Sequence, residues 1–210
     1  MKKCIALCLS LFLLAGCVPA GMKTNYVAPT KLSRETERAL ELTGWNGEFF
    51  DIKTDQKLKQ AIFQCWSLSK DGVWEPVGER AALGAGRSEW TLAAYFGDDL
   101  SEGFRVIETD GDLSMVYDHN MEPEKPAGEP LTGNREDYDQ AEKELLWTAG
   151  GPVVYGEAMP LVYQAEHIYQ LDAFEGSIWA DTDAFLAQDY FGYTREDWRL
   201  YCLTVTFETE

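Results

Sequence analysis

Apolar and polar residues alternate along several short runs of the chain, and this two-residue period predicts a structure built mainly from β-strands. Loops rich in glycine, aspartate and proline separate the runs, and Asp71-Gly72 and Asp110-Gly111 are each typical of a two-residue hairpin turn. We therefore predict a single domain over residues 32–210, an antiparallel β-sandwich with a hairpin meander and a few short helices. The alternating runs span residues 49–53, 58–69, 73–77, 87–96, 104–109, 113–117, 153–155, 159–168 and 200–207.

Helical signals are few and short. Ser33 can cap a helix that has Glu35 and Glu37 in its first turn and stops at Gly44. A second short helix is predicted over 182–190, where a threonine is followed by acidic residues. The pattern over 134–147 fits either a helix or a strand that begins only at Leu145, and both alternatives stay open.

The first residues have the features of an export leader. Lys2 and Lys3 precede an apolar run over residues 4–14, which is too short for a bilayer that requires roughly 20 apolar residues. The run ends in Leu14-Ala15-Gly16-Cys17, which resembles the lipobox of bacterial lipoproteins. That resemblance implies that residues 1–16 are a signal peptide, removed before Cys17, and that the Cys17 thiol carries diacylglycerol.

Lipid on Cys17 would anchor the mature protein at the outer face of the cytoplasmic membrane. Two or three fatty acyl chains of the palmitate type hold a protein on a bilayer for long times, whereas one chain is marginal. Residues 17–31 contain proline, glycine and threonine without periodicity, so we predict that they form a flexible tether behind the lipidated cysteine.

Short motifs after the leader resemble uncharacterised surface lipoproteins of Gram-positive gut bacteria. The shared segments are structural, and the resemblance implies an extracytoplasmic location without implying an activity. They are Leu42-Thr43-Gly44, Trp74 to Val77, Pro160 to Val162 and Tyr201 to Phe207.

Net charge excludes one class of partner. The chain has 36 acidic and 18 basic residues and a formal charge of −18. A protein this acidic cannot release counterions from DNA or RNA, so nucleic-acid binding is not expected. Membrane contact is expected through the lipid on Cys17 rather than through a basic patch.

Candidate catalytic and metal-binding chemistry is sparse. The sequence has no Gly-x-Ser-x-Gly motif, and neither His119 nor His167 has a ligand or nucleophile at a recognisable spacing. Asp98, Asp99 and Glu102 share one loop and are weak calcium candidates, but they lack the spacing of a dedicated calcium loop. We therefore predict a non-catalytic domain without a metal or cofactor, with a hydrolase as the least favoured reading.

Cys65 and Cys202 are the cysteines that remain beyond Cys17. Cys65 shares strand parity with Ala61 and Phe63, whereas Cys202 lies opposite the apolar set that includes Leu203. A Cys65–Cys202 disulfide needs both thiols in one gap, so two free thiols are the prediction.

The seven tryptophans supply the binding hypothesis. Trp74, beside Pro76, and Trp179, after a glycine-serine segment, are the candidates for exposed ligand-binding rings. The sequence favours an envelope-associated binding domain for an extracytoplasmic protein or glycan. A carbohydrate- or peptide-binding module that uses exposed aromatic rings is the alternative.

Overall fold

A computed structural model describes residues 23–43, 47–84, 86, 88–96, 104–109, 114–119, 143–166, 174, 176–187 and 198–210. The predicted signal peptide and Cys17 lie outside the described residues. So do Asp98, Asp99, Glu102 and His167.

The predicted fold class is confirmed: the protein is mainly β and forms two antiparallel sheets. Sheet A has the strand order β7-β6-β5-β2-β1-β9, and sheet B has the order β4-β3-β11-β10-β8. The strands are β1 (Tyr26–Pro29), β2 (Gly47–Lys53), β3 (Leu58–Leu68), β4 (Trp74–Gly84), β5 (Glu89–Phe96), β6 (Phe104–Thr109), β7 (Ser114–His119), β8 (Lys143–Trp147), β9 (Gly151–Pro152), β10 (Ala158–Glu166) and β11 (Arg199–Thr209).

The main core lies between the two sheets. Alternate residues of β2 and β5 face it from sheet A, and alternate residues of β3 and β11 face it from sheet B, as the two-residue period requires. Its largest fully buried side chains include Phe50, Phe63 and Phe207. Burial of such rings removes apolar surface from water and contributes about 25 cal/mol of favourable free energy per Å² buried. This hydrophobic contribution is the main force that holds the sheets together.

The predicted hairpins are present, but they belong to different sheets. Strands β5, β6 and β7 form the meander in sheet A, whereas β3 and β4 form a hairpin in sheet B. Residues 69–73 connect β3 to β4. Ser69 N donates to Val73 O and Gly72 N donates to Ser69 O, so the closing pair encloses three turn residues, 70–72, instead of the predicted two. Gly72 alone takes a positive φ of 79°, the geometry of a type I turn followed by a bulge.

Pro76 lies on an edge strand, as its missing N–H predicts. Strand β4 ends sheet B, and Pro76 pairs with Trp66 of β3. For residues 134–147 the sequence allowed either a helix or a strand. Residues 143–147 form strand β8, and residues 134–142 lie outside the described part.

Two boundary predictions are wrong. Residues 26–29 belong to strand β1 rather than to the tether, because β1 pairs with β2 on one side and β9 on the other and Val27 is fully buried. Residues 153–155 are not a strand. They form an irregular segment and a turn after the two-residue strand β9, with Gly156 at a φ of 80°.

Two short helices occur in the described residues, α1 (Arg34–Thr43) and α2 (Thr182–Leu186). Ser33 caps α1 as predicted, since its Oγ accepts a hydrogen bond from Thr36 N at 3.2 Å. The cap of α2 is Asp181, whose carboxylate accepts from Ala184 N. No helix in the described part of the chain is long and apolar enough to cross a membrane.

Candidate functional site

One cross-strand row of side chains runs the full width of sheet B on the face turned away from the main core. Pairing places these five residues side by side, one on each strand, and opposite residues of a sheet share a face. The row is Pro76, Trp66, Cys202, Tyr163 and Leu146.

The segment 176–187 covers part of this row. The Trp179 ring lies with its centroid 5.5 Å from the Trp66 ring at an interplanar angle of 68°, and 5.1 Å from the Trp74 ring at 35°. Trp74 Nε1 donates to Thr182 Oγ1 at 3.1 Å, so the β3–β4 hairpin is also joined to helix α2 by a hydrogen bond. The two tryptophans that the sequence proposed as exposed rings therefore meet, and both are half-buried.

Beside this aromatic contact lies a second core that the sequence did not predict. It packs against the outer face of sheet B, and it makes that sheet the middle layer at this end of the domain. The Phe185 ring makes edge contacts with Phe174 at 5.5 Å and with Trp198 at 6.1 Å. The fully buried residues of this second core include Cys202, Leu200 and Phe185.

Tyr163 joins sheet B to the segment 176–187 that covers it. Its hydroxyl accepts a hydrogen bond from Trp179 N at 3.1 Å, and its side chain is 3% exposed. Burial, followed by the neighbouring Cys202 thiol, raises the pKa of Tyr163 far above its ordinary value. The phenol therefore stays protonated and neutral at physiological pH.

A groove of about 560 Å³ begins at Tyr163 and Trp179. Its lining comes from two stretches of chain: β8 with the segment that leads into β10, and the segment before α2. The lining residues are Leu146, Trp147, Thr148, Ala149, Gly150, Pro152, Val154, Glu157, Ala158, Met159, Pro160, Tyr163, Phe174, Gly176, Ser177, Ile178, Trp179 and Ala180.

The groove is mostly apolar, with a small number of polar groups. Thr148 Oγ1 donates to Pro160 O at 2.9 Å, so that hydroxyl has its lone pairs left for a ligand donor. Ser177 Oγ accepts from Ala180 N. Glu157 is exposed, and it is the one carboxylate among the described lining residues.

The N-terminal part of the chain enters the fold next to this groove. Asn25, in a left-handed conformation with a φ of 58°, accepts from Val153 N through its carbonyl oxygen at 2.9 Å. Its Oδ1 accepts from Asp55 N and from the Tyr155 hydroxyl, and that hydroxyl also lies 2.6 Å from Asp55 Oδ1. The hydrogen bonds to Tyr155 and Asn25 lower the pKa of Asp55.

Strand parity predicted that Cys65 and Cys202 lie on opposite faces, and the structure agrees. Cys65 faces the main core and Cys202 faces the second core, on opposite sides of sheet B, and both thiols are free. The structure adds that Cys202 is also fully buried, because the second core covers this face of sheet B.

The remaining predicted site residues concern metal binding and lipid attachment. Within the described residues, no group of three or more His, Cys, Asp or Glu side chains is arranged to hold a metal ion. The calcium candidates Asp98, Asp99 and Glu102 lie outside that part of the chain, as does the lipid-attachment candidate Cys17.

Sequence reasoning missed Tyr163, Thr148 and Glu157 as groove residues. Tyr163 has the strand parity of Ala165, and both are buried in the second core. Its role depends on a segment that follows later in the chain, and no local signal shows which strand that segment covers.

Comparisons with known proteins find no matching family model, no matching curated protein and no matching solved structure.

Proposed function

We propose that the chain is a lipid-anchored bacterial lipoprotein at the outer face of the cytoplasmic membrane, and that its domain binds a ligand without catalysis. The observation that carries the binding part is the groove beside Tyr163 and Trp179. Its volume of about 560 Å³ is within the range of about 300–1,000 Å³ that is usual for small-molecule sites. Apolar walls with a few placed polar groups are the usual composition of such sites.

The protonation of Tyr163 supports a non-catalytic role. Glu157 and Tyr163 are the ionisable residues among its described lining residues. Tyr163 has a raised pKa, and its hydroxyl already accepts from Trp179 N. A general acid or base works best with a pKa near the operating pH, which Tyr163 does not have.

The entry of the chain at Asn25 supports an anchored orientation. Eight residue steps separate Cys17 from Asn25, and at about 3.5 Å per step they span at most about 28 Å. Asn25 bonds to Val153, whose neighbours Pro152 and Val154 line the groove. A lipid on Cys17 would therefore hold one wall of the groove close to the membrane surface.

A groove-blocking variant tests the binding role. Ala180 is exposed and lines the groove, whereas Ala184 is exposed on α2 and does not line it. We expect a small probe with an apolar body, such as phenethyl alcohol or phenethylammonium, to change the tryptophan fluorescence of the full chain saturably. Ala180→Trp should abolish that change and Ala184→Trp should retain it. A response that is absent, or equal in the two variants, contradicts the proposal.

A carbohydrate- or peptide-binding module is the second candidate, and the contact between Trp74 and Trp179 favours it. Three tryptophan rings, including Trp66, lie close together on one face of sheet B and are each half-buried. Sugar rings stack on such surfaces. Saturable binding of N-acetylglucosamine oligomers that is lost in Trp179→Ala, but kept in Ala180→Trp, would favour this candidate over the groove.

A further inference from the structure

We propose that the groove takes an organic cation, a molecule with an apolar or aromatic body and a positively charged amine. This inference rests on the proposed function of the groove as a ligand site and specifies its chemical class. The juxtaposition that carries it is Glu157 in a groove whose lining residues include the aromatic residues Tyr163, Phe174 and Trp179.

Charge is the first argument. Among the described residues that line the groove, one is acidic and none is basic. The chain as a whole has a formal charge of −18, so its field concentrates cations near the surface and repels anions. Asp181, directly after the lining residue Ala180, adds a second exposed carboxylate next to the groove.

The aromatic lining is the second argument. The face of a tryptophan or tyrosine ring attracts a cation within about 6 Å of its centre, and the attraction grows when water is excluded. Trp179 is fixed in place by its contacts with Trp66 and Trp74 and by the bond from its backbone N–H to Tyr163. Trp179 is thus a preorganised wall, and binding need not order it.

Hydrogen-bond polarity is the third argument. The Thr148 hydroxyl uses its hydrogen on Pro160 O, so toward a ligand it can only accept. Glu157 can only accept when it is ionised. Thr148 and Glu157 are therefore acceptors, and they suit a ligand that brings N–H donors on an ammonium group.

Three probes of matched size separate the possibilities: phenethylammonium, phenethyl alcohol and phenylacetate, each titrated into the full chain and followed by tryptophan fluorescence. We expect phenethylammonium to bind at least about fivefold more tightly than the alcohol, and phenylacetate to bind most weakly. The preference for the cation should shrink when salt is raised, because screening shortens the reach of surface charge to about 10 Å at 0.1 M.

Variants locate the effect. Glu157→Gln should lower the affinity for phenethylammonium about two- to fivefold and leave the affinity for phenethyl alcohol unchanged, as expected for an exposed ion pair. Glu41→Gln, which removes one charge from helix α1 away from the groove lining, should change neither. Trp179→Ala should lower the affinity for phenethylammonium by about 2- to 30-fold.

The outcomes distinguish the two levels of the proposal. If the alcohol binds as tightly as the cation and Ala180→Trp abolishes both, the groove is a ligand site and the cation inference is wrong. If Glu41→Gln lowers the affinity for phenethylammonium as much as Glu157→Gln does, the effect comes from net charge, and the inference is also wrong. If no probe gives a response that Ala180→Trp removes, the proposed function itself fails.

Discussion

The Trp74 ring lies 5.1 Å from the Trp179 ring, centroid to centroid, and its indole N–H donates to Thr182 at the start of helix α2. These contacts join an edge hairpin of sheet B to the segment that forms one side of the groove. The groove therefore depends on the stability of a long-range aromatic contact. A substitution that removes the contacts of Trp74 should therefore also disturb the position of Trp179.

The hydrogen bond between Trp74 and Thr182 can be measured with a double-mutant cycle. Trp74→Phe removes the donor, and Thr182→Val removes the acceptor together with the bond from Thr182 to Ile178 O. We expect a coupling free energy of about 1 kcal/mol, the usual net value of a protein hydrogen bond, from urea unfolding followed by circular dichroism. Effects that add to within about 0.3 kcal/mol would mean that the bond contributes nothing.

Two glycines with similar φ angles provide a matched test of the junction between β1 and the groove. Gly150 has a φ of +73°, and a Cβ there would lie 2.1 Å from Val27 O. Gly156 has a φ of +80°, and a Cβ there would meet nothing within 4 Å. Gly156→Ala should cost about 1–2 kcal/mol of unfolding free energy from its backbone conformation alone. Gly150→Ala should cost clearly more, because the backbone of β1 must also move.

Thermal melts of both glycine variants decide this prediction. Equal losses would show that β1 does not press against Gly150, and they would contradict the placement of residues 26–29 in the sheet.

The two buried thiols predict a fall in stability at alkaline pH. Burial raises the pKa of Cys65 to about 12 and raises the pKa of Cys202 well above its ordinary value. The thiols of the unfolded chain titrate at about pH 8.5, so the unfolded state loses its protons first. Stability from these groups is thus fully present below about pH 8.5 and falls as pH rises toward about 12. Cys65→Ala should flatten this fall.

Thiol labelling checks the same groups directly. At pH 8, Cys65 and Cys202 should react slowly with iodoacetamide in the native chain, and both should react fully in denaturant without a reductant. Labelling that requires reduction would reveal a disulfide, and rapid native labelling would contradict the burial.

The Tyr155 hydroxyl controls the titration of Asp55. Tyr155→Phe removes a hydrogen bond of 2.6 Å, so the pKa of Asp55 should rise toward its ordinary value, as followed by NMR. With the tyrosine present, the lowered pKa makes Asp55 favour the folded state above its unfolded pKa, and this contribution is lost as pH falls through the folded value. An unchanged Asp55 titration in Tyr155→Phe would contradict this link between Asp55 and the segment after β9.

Strand positions and faces could be predicted because the two-residue period is local. The parity argument put Cys65 and Leu203 toward the core and Cys202 on the other face, and the structure agrees. Burial of Cys202 could not be predicted, because its neighbours Thr204 and Thr206 are typical of a solvated face. The cover comes from residues such as Phe185 and Trp198, whose position depends on tertiary packing.

Strand β1 was missed for a related reason. It has four residues and ends in Pro29, so it is too short to establish an alternating pattern. Its order comes from pairing on both sides and from the bonds of Asn25, which are all long-range contacts. Trp74 and Trp179 could be selected from local context, but nothing local indicated that they would touch.

Mass spectrometry of the N-terminal peptide from protein isolated from its native host tests the central claim, lipid anchorage through Cys17, most directly. We predict a peptide that begins at Cys17 and carries the mass of a diacylglyceryl group. An intact leader, or a free Cys17 thiol at the mature N-terminus, would contradict the account.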